Sequence, residues 1–270
     1  MSSSSVMSNK RFLAVDQGNS FCKLSLFEDM TPLEVCRIPT EDSESVFSVV
    51  ESWHPDCGAF CSVGHIDPRL VESLRLAVDG HFLILSHSTP LPISIEYATP
   101  DTLGLDRVAL AAGAASLYPG QNIMVVDAGT AVTLDVIKSS RSSKKTPPTL
   151  TTPTATSFIG GRISPGLLLR LEALNGHTAA LPLISADGPM PVAGYSTETS
   201  IRSGVIGGLA NEIVATFREY NDAFGCSRLA FTGGDAGILY KLISSRIPAD
   251  HVPDLMARGL LYIYNHNENL

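Results

Sequence analysis

Arg11-Phe12-Leu13-Ala14-Val15-Asp16-Gln17-Gly18-Asn19-Ser20-Phe21-Cys22-Lys23 decides the reading of the fold, because its pattern returns as Asn122-Ile123-Met124-Val125-Val126-Asp127-Ala128-Gly129-Thr130-Ala131. Each copy is a short apolar run that ends on Asp, with Gly two positions later. An alternating run follows, Phe21–Phe27 in one case and Ala131–Ile137 in the other. Such a pattern predicts two strands joined by a tight turn. Glycine can take φ > 0, which lets the chain reverse and brings backbone N–H groups close to phosphate oxygens. The Asp at the strand end is then placed to hold Mg²⁺ or its waters, since hard cations take oxygen ligands. A lone Asp-x-Gly is an ordinary hairpin turn. Two copies, each opening one half of the chain, argue for phosphate chemistry and an internal duplication.

Outward from the first turn, Leu33–Ile38 reads as a third strand. A helix is expected from Asp42 or Ser43 through Trp53, a buried strand over Cys57–Val63, a helix over Asp67–Val78 and a strand over Phe82–Ser86. The Ala-rich stretch Leu105–Leu117 predicts a well-packed helix. In the second half, helices are expected at Gly166–Leu174 and Glu198–Tyr220. A strand follows at Arg228–Thr232, and the Gly233-Gly234 turn then leads into another helix. The expected organisation is a disordered tail over 1–10, one α/β domain over 11–118 and a similar one over 119–270, with a cleft between them. Residues 139–157, rich in Ser, Thr, Pro and Lys, read as a mobile loop.

Composition narrows the function classes. A chain of 270 residues with 44% hydrophobic content exceeds a typical domain of roughly 100–150 residues and suits two. It contains no apolar run of about 18 residues, so no membrane span is expected. A net charge of −8 without a basic face argues against nucleic acid as a partner. Five cysteines without a paired spacing read as buried reduced thiols, which implies a cytoplasmic address.

Three further clusters carry chemistry. Tyr97-Ala98-Thr99-Pro100-Asp101-Thr102-Leu103-Gly104-Leu105-Asp106-Arg107 runs into the Ala-rich helix. Asp106 in that first turn is explained either as a charge favourable to the helix N-terminus or as a base that accepts a hydroxyl proton in phosphoryl transfer. Gly160-Gly161-Arg162-Ile163-Ser164-Pro165-Gly166 reads as a loop that approaches a ligand or another domain. Thr197 stands at a helix start, as an N-cap or a ligand contact. The Gly-x-x-x-x-Gly-Lys-Ser/Thr phosphate loop is absent, so ATP would be handled by the duplicated turns. Lys23 reads either as added positive charge at that phosphate site or as an exposed strand lysine.

Taken in order, these motifs resemble the type III pantothenate kinases over nearly the whole chain. They are Asp16-x-Gly-Asn with Lys23; Tyr97-x-x-Pro-x-x-x-Gly104-x-Asp106-Arg107; Asp127-x-Gly-Thr130-Ala-x-Thr133; Gly-Gly-x-Ile-x-Pro-Gly166; Thr197 with Ile201-x-Ser-Gly204; and Thr232-Gly-Gly234. The resemblance implies an α/β fold of two ribonuclease-H-like domains, shared with actin, heat-shock chaperones and sugar kinases, with an interdomain active-site cleft and a homodimer. It implies transfer of the γ-phosphoryl of ATP to pantothenate, giving 4′-phosphopantothenate at the start of coenzyme A synthesis. Asp16, Gln17, Gly18, Asn19, Ser20, Phe21, Cys22 and Lys23 would line the ATP phosphates, with Asp16 near Mg²⁺ and Thr130 also on ATP. Asp127 would bind K⁺ or NH₄⁺. Tyr97, Gly104, Leu105, Asp106, Arg107 and Thr197 would hold pantothenate, with Asp106 as the base. Ser20 stands where the family usually has Thr, and 139–157 is longer than the usual turn. Two alternatives remain at this stage: a kinase of another small hydroxyl compound, and a non-catalytic regulator like the Bvg accessory factor. Retention of Asp16, Asp106 and Asp127 argues against the latter.

Overall fold

The computed structural model describes residues 10–62, 64, 67–140 and 155–270. Residues 1–9 of the expected tail, Val63 at the end of an expected strand, and 141–154 of the expected loop lie outside these described residues. In chain order the elements begin with β1 (Arg11–Gln17), β2 (Phe21–Glu28), β3 (Thr31–Pro39), α1 (Ser43–Trp53), β4 (Cys57–Ser62), α2 (Pro68–Leu76), β5 (Phe82–Ile84) and β6 (Ser94–Ile95). Next come α3 (Leu105–Leu117), β7 (Ile123–Ala128), β8 (Ala131–Ser140), β9 (Ala155–Pro165), α4 (Leu167–Gly176), α5 (Thr197–Arg202) and α6 (Gly208–Phe224). The chain closes with β10 (Arg228–Thr232), α7 (Ala236–Ile243), β11 (Ala249–His251) and α8 (Leu255–Glu268).

The duplication is visible in the sheets. One has the order β3-β2-β1-β4-β5, and the other β11-β10-β7-β8-β9, with β6 added at its edge. Read from the first Asp strand outward, the two orders match strand for strand. β1 pairs antiparallel with β2 and parallel with β4; β7 pairs antiparallel with β8 and parallel with β10.

The chain forms two compact units. One holds the described residues through Pro92, Thr99–Ser116 and Met256–Leu270; the other holds Ile93–Ala98 and Leu117–Leu255. The expected single boundary after residue 118 therefore needs correction at two places. The last helix packs with the first unit, and the short stretch around Tyr97 joins the second because β6 pairs with β9. These are long-range contacts that local periodicity does not carry.

In the first unit, alternation along β1 separates two faces. Leu13 and Val15 meet Val46 and Val50 of α1 and Leu70 and Leu74 of α2 in one apolar core. Phe12 points to the other face, where its ring lies 5.2 Å from that of Tyr264 on α8. Asp16, four residues on, shares the face of Phe12. The same layer contains α3, because Gly259 of α8 sits so close to the Ala109 carbonyl that an added Cβ would overlap it. The helix that carries Asp106 is thus clamped over the face of the sheet that carries Asp16. Each buried Leu, Val or Phe in such a core contributes roughly 1.5–3 kcal/mol. In the second unit the core lies between Val126, Val132 and Leu134 of the sheet and Leu209, Ile213 and Val214 of α6.

Three local expectations are overturned. The Gly160–Gly166 stretch is not a loop: through Pro165 it is the second half of β9, paired with β8 from Ala131 to Ser140. A register shift between Val136 and Ile137 absorbs the irregularity, and Gly160 sits there at φ +142, as glycine does at bulges. Residues 139–140 and 155–157, expected within the loop, are paired strand. The expected helix over Glu198–Tyr220 is interrupted by a π-helical turn at Ser203–Gly207 between α5 and α6.

Candidate active site

The first cluster lies wholly in the first unit. β1 ends on Asp16 and Gln17, and the turn is closed by the Gly18 N–H donating to the Phe21 carbonyl at 3.0 Å. Gly18 is not at positive φ, contrary to the expected reason for a glycine here. Close approach explains it instead, since an added Cβ would lie 3.1 Å from the Phe21 oxygen. Thr40, just after β3, braces the turn. Its hydroxyl donates to the Gly18 carbonyl at 3.0 Å, and its N–H donates to the Ser20 carbonyl at 3.1 Å. Nothing in the sequence pattern singled out Thr40, because its partners are backbone atoms of the β1–β2 turn, some twenty residues earlier in the chain.

Strand register fixes the neighbours of Asp16. Lys23 of β2 stands directly opposite and Cys61 of β4 stands alongside. Burial pushes the Asp16 carboxyl up to about 6, with Lys23 opposing the rise and Asp106 adding to it. Asp106 belongs to the same unit, on the helix held over the face of the sheet that carries Asp16, so Asp16, Lys23 and Asp106 form one constellation. Cys61, fully buried beside it, has its thiol pushed well up by burial and then by Asp16 and Asp106, so it stays neutral. All five cysteines are free thiols; Cys36 is half-buried and the other four are buried.

Asp106 sits in the first turn of α3, where its Oδ1 accepts from the Arg107 N–H at 2.8 Å. Gly104 owes its identity to this carboxylate: an added Cβ would overlap Asp106 Oδ1. Leu105 and Asp106 are half-buried and Arg107 is buried. Two carboxylates and one ammonium fit a divalent cation with phosphate groups in charge and in donor type.

The second cluster lies wholly in the second unit. The β7–β8 turn closes over fewer residues, with the Gly129 N–H donating to the Ala131 carbonyl at 3.0 Å. Gly129 is not at positive φ either. Here Gly166 is the brace: its N–H donates to the Thr130 carbonyl at 2.9 Å, and an added Cβ would overlap the Gly129 and Thr130 oxygens. Asp127 is half-buried and Thr130 exposed. Opposite Asp127 in register stands Thr133. On the far side, Gly233 at φ +102 presses on the Ala128 backbone, and the Asp235 N–H donates to the Ala128 carbonyl at 2.9 Å.

The remaining expected residues divide between the units. Tyr97 falls in the second unit and Gly104–Arg107 in the first, so the motif read as one block spans two. The Tyr97 ring meets Phe158 edge-on at 5.8 Å and lies over Gly160. Thr197 is not an N-cap. Ser196 caps α5 by accepting from the Thr199 N–H in a capping box, which leaves Thr197 exposed as the first helical residue. Sequence reading also missed Arg202, whose buried guanidinium donates to the carbonyls of Ser185 at 3.2 Å and Pro189 at 3.1 Å. Ser203 Oγ donates to the Pro191 carbonyl at 2.6 Å. Together they tie the 185–191 segment to the end of the helix that Thr197 starts.

Two units of matching strand order, each with an Asp at the end of its first strand, define the fold of actin, heat-shock chaperones and sugar kinases. A solved protein from Listeria monocytogenes, described as a candidate N-acetylmannosamine kinase, shares this fold at a TM-score of 0.51 with 10% identity, covering 96% of this chain and 100% of that one. The family is more specific. The family model for type III pantothenate kinase matches residues 12–219. The type III pantothenate kinase of Azobacteroides pseudotrichonymphae is 35% identical over 250 residues, 92% of this chain and 94% of that protein. The enzyme of the same description from Flavobacterium johnsoniae is 36% identical over 240 residues, 88% of this chain and 91% of that one. The chain belongs to the type III pantothenate kinases. Among the described residues no helix is long and apolar enough to cross a membrane.

Proposed function

We propose that this phosphotransferase moves the γ-phosphoryl group of ATP to the primary hydroxyl of pantothenate at the constellation of Asp16, Lys23 and Asp106. The observation that carries the reading is geometric: register sets Lys23 opposite Asp16, and the helix that begins with Asp106 is packed over the same face of that sheet, all in one unit. Asp106 accepts the hydroxyl proton as the oxygen attacks phosphorus and the bond to the β-phosphate oxygen breaks, releasing ADP. Lys23 and the N–H groups of the Asp16–Lys23 turn line the ATP phosphates, and Thr130 contacts ATP from the second unit. Asp16 would hold Mg²⁺, directly or through water, and the ion would supply charge neutralisation on the phosphates. A monovalent cation, K⁺ or NH₄⁺, belongs with Asp127. Tyr97, Gly104, Leu105, Arg107 and Thr197 hold pantothenate. The working form in this reading is a cytoplasmic homodimer.

The buried Asp16 carboxyl supports the divalent-cation assignment. A carboxylate raised by desolvation gains most from a bound cation, which restores the stabilisation of its charge lost on leaving water. The test is formation of phosphopantothenate by the purified chain with ATP, Mg²⁺ and K⁺, set against a panel of other small hydroxyl compounds. Preferential phosphorylation of another compound would move the substrate assignment while leaving the phosphotransferase reading in place.

A further inference from the structure

Thr133 is a buried hydroxyl, at 9% exposure, that stands directly opposite the carboxylate residue Asp127 in the β7–β8 register. Its Oγ1 has no hydrogen-bond partner among the described residues. Directly opposed residues of an antiparallel pair project from the same face with Cβ atoms about 4.5–5.5 Å apart. Alternation along β8 decides which face this is. Val132, Leu134 and Val136 enter the apolar core with α6, so Thr133 projects from the opposite face, together with Asp127.

The duplicated sheet gives this position a counterpart. In the first unit the residue directly opposite the strand-end Asp is Lys23, facing Asp16. In the second unit the same register position, opposite Asp127, is Thr133. One carboxylate thus faces a built-in ammonium, and the other faces a neutral oxygen. A buried hydroxyl without a partner is unusual enough in folded proteins to require a physical reason. Its lone pairs suit a cation, and K⁺-sized ions are held by oxygen ligands that replace their water.

We infer that Thr133 Oγ1 is a protein ligand, alongside Asp127, for the monovalent cation, so that a bound cation stands in the second unit where the Lys23 ammonium stands in the first. This rests on the assignment of Asp127 to that cation. Ser139 provides an internal control. Its Oγ is also buried without a partner among the described residues, but the residue opposite it is Thr156 and no carboxylate faces it in register.

The experiment follows the melting temperature of the full chain, with Mg²⁺ and a non-hydrolysable ATP analogue, as K⁺ replaces Li⁺ at constant ionic strength. Ligand binding to the folded state stabilises it by RT ln(1 + [K⁺]/Kd), so the rise of melting temperature with the logarithm of K⁺ concentration yields an apparent affinity without turnover. Thr133→Val is expected to weaken that affinity about tenfold or more, on the order seen when groups supporting a metal site are removed. Thr133→Ser, which keeps the hydroxyl, is expected to stay close to the parent, as is Ser139→Ala. In K⁺-free buffer Thr133→Val should melt at or above the parent, because an unsatisfied polar atom has been removed; a purely structural hydroxyl would give this effect alone.

A parent-like K⁺ affinity in Thr133→Val, with K⁺ response lost in Asp127→Asn, would overturn the role of Thr133 and leave that of Asp127 standing. A parent-like response in Asp127→Asn, or no K⁺ response in the parent, would overturn both.

Discussion

The turn after β1 and the turn after β7 hold the same place in two sheets of the same order, yet they are built from different parts. The first closes by a Gly18–Phe21 hydrogen bond and is braced by the Thr40 hydroxyl and N–H. The second closes by a Gly129–Ala131 hydrogen bond and is braced by the backbone of Gly166, packed too tightly for any side chain. Asp16 faces Lys23 and feels Asp106; Asp127 faces Thr133. The two sheets share their topology and differ in the charge of the residue opposite each carboxylate. An Asp between an ammonium and a second carboxylate suits phosphate with a divalent ion. An Asp across from a hydroxyl suits a single charge.

The largest effect that would break this comparison is at neither turn. Asp106→Asn is expected to lower kcat by about 10²–10⁴-fold, the usual contribution of a positioned general base, while ATP binding measured by calorimetry stays near the parent value. Turnover close to that of the parent would remove Asp106 from the chemistry. Gly104→Ala tests the same carboxylate indirectly. The new methyl group must displace Asp106 Oδ1, and a shift of about 1 Å at a reacting group can cost roughly 100-fold in rate. A loss in kcat exceeding any change in the melting temperature is the expected signature.

The braces sharpen the comparison at the level of stability. Gly166→Ala drives a Cβ into two carbonyl oxygens and is expected to cost about 1–3 kcal/mol, in the range of overpacked sites. Thr40→Val removes one hydrogen bond at the other turn and should cost about 0.5–1.5 kcal/mol. Chemical denaturation of both variants checks the order, and the reverse order would contradict the account of how each turn is held.

The smallest effect concerns protons. Asp16 titrates near 6 in the fold, against an ordinary value of 3.8. Between those values the folded chain binds more protons than the unfolded chain, so its contribution to stability is complete at low pH and is lost as pH rises through about 6. In Mg²⁺-free buffer Asp16→Asn should therefore gain melting temperature over the parent progressively from pH 4 to pH 7, with little difference below pH 4. A gain that did not depend on pH would mean that Asp16 is not held above its ordinary value.

Much of this was legible in the sequence, because the informative features are local. The apolar runs ending on Asp16 and Asp127 gave the two hairpins, and the alternation of Phe21–Phe27 and Ala131–Ile137 gave their second strands. The Ala-rich Leu105–Leu117 helix with Asp106 in its first turn was equally plain. What escaped depends on distant contacts or on backbone irregularity. β9 hid behind Gly160, Gly161 and Pro165, which read as loop residues but serve a bulge and the close packing of Gly161 on Asp135. Sequence order placed α8 with the second half, whereas packing of Gly259 on Ala109 places it with the first. Glycine at the two turns was read as a need for positive φ, and the structure uses it for close approach instead. The exposed Thr197 was obscured by Ser196, an equally good cap one residue earlier.

The central claim is that the two Asp turns divide the labour of one phosphoryl transfer to pantothenate. Its most direct test is the initial rate of 4′-phosphopantothenate formation, followed by mass spectrometry with ATP and Mg²⁺ as K⁺ is titrated in place of Li⁺. The account predicts product whose rate rises with K⁺ to saturation, and loss of that rise in Asp127→Asn. No product at any K⁺ concentration, or a rate in Asp127→Asn that follows K⁺ as the parent does, would contradict it.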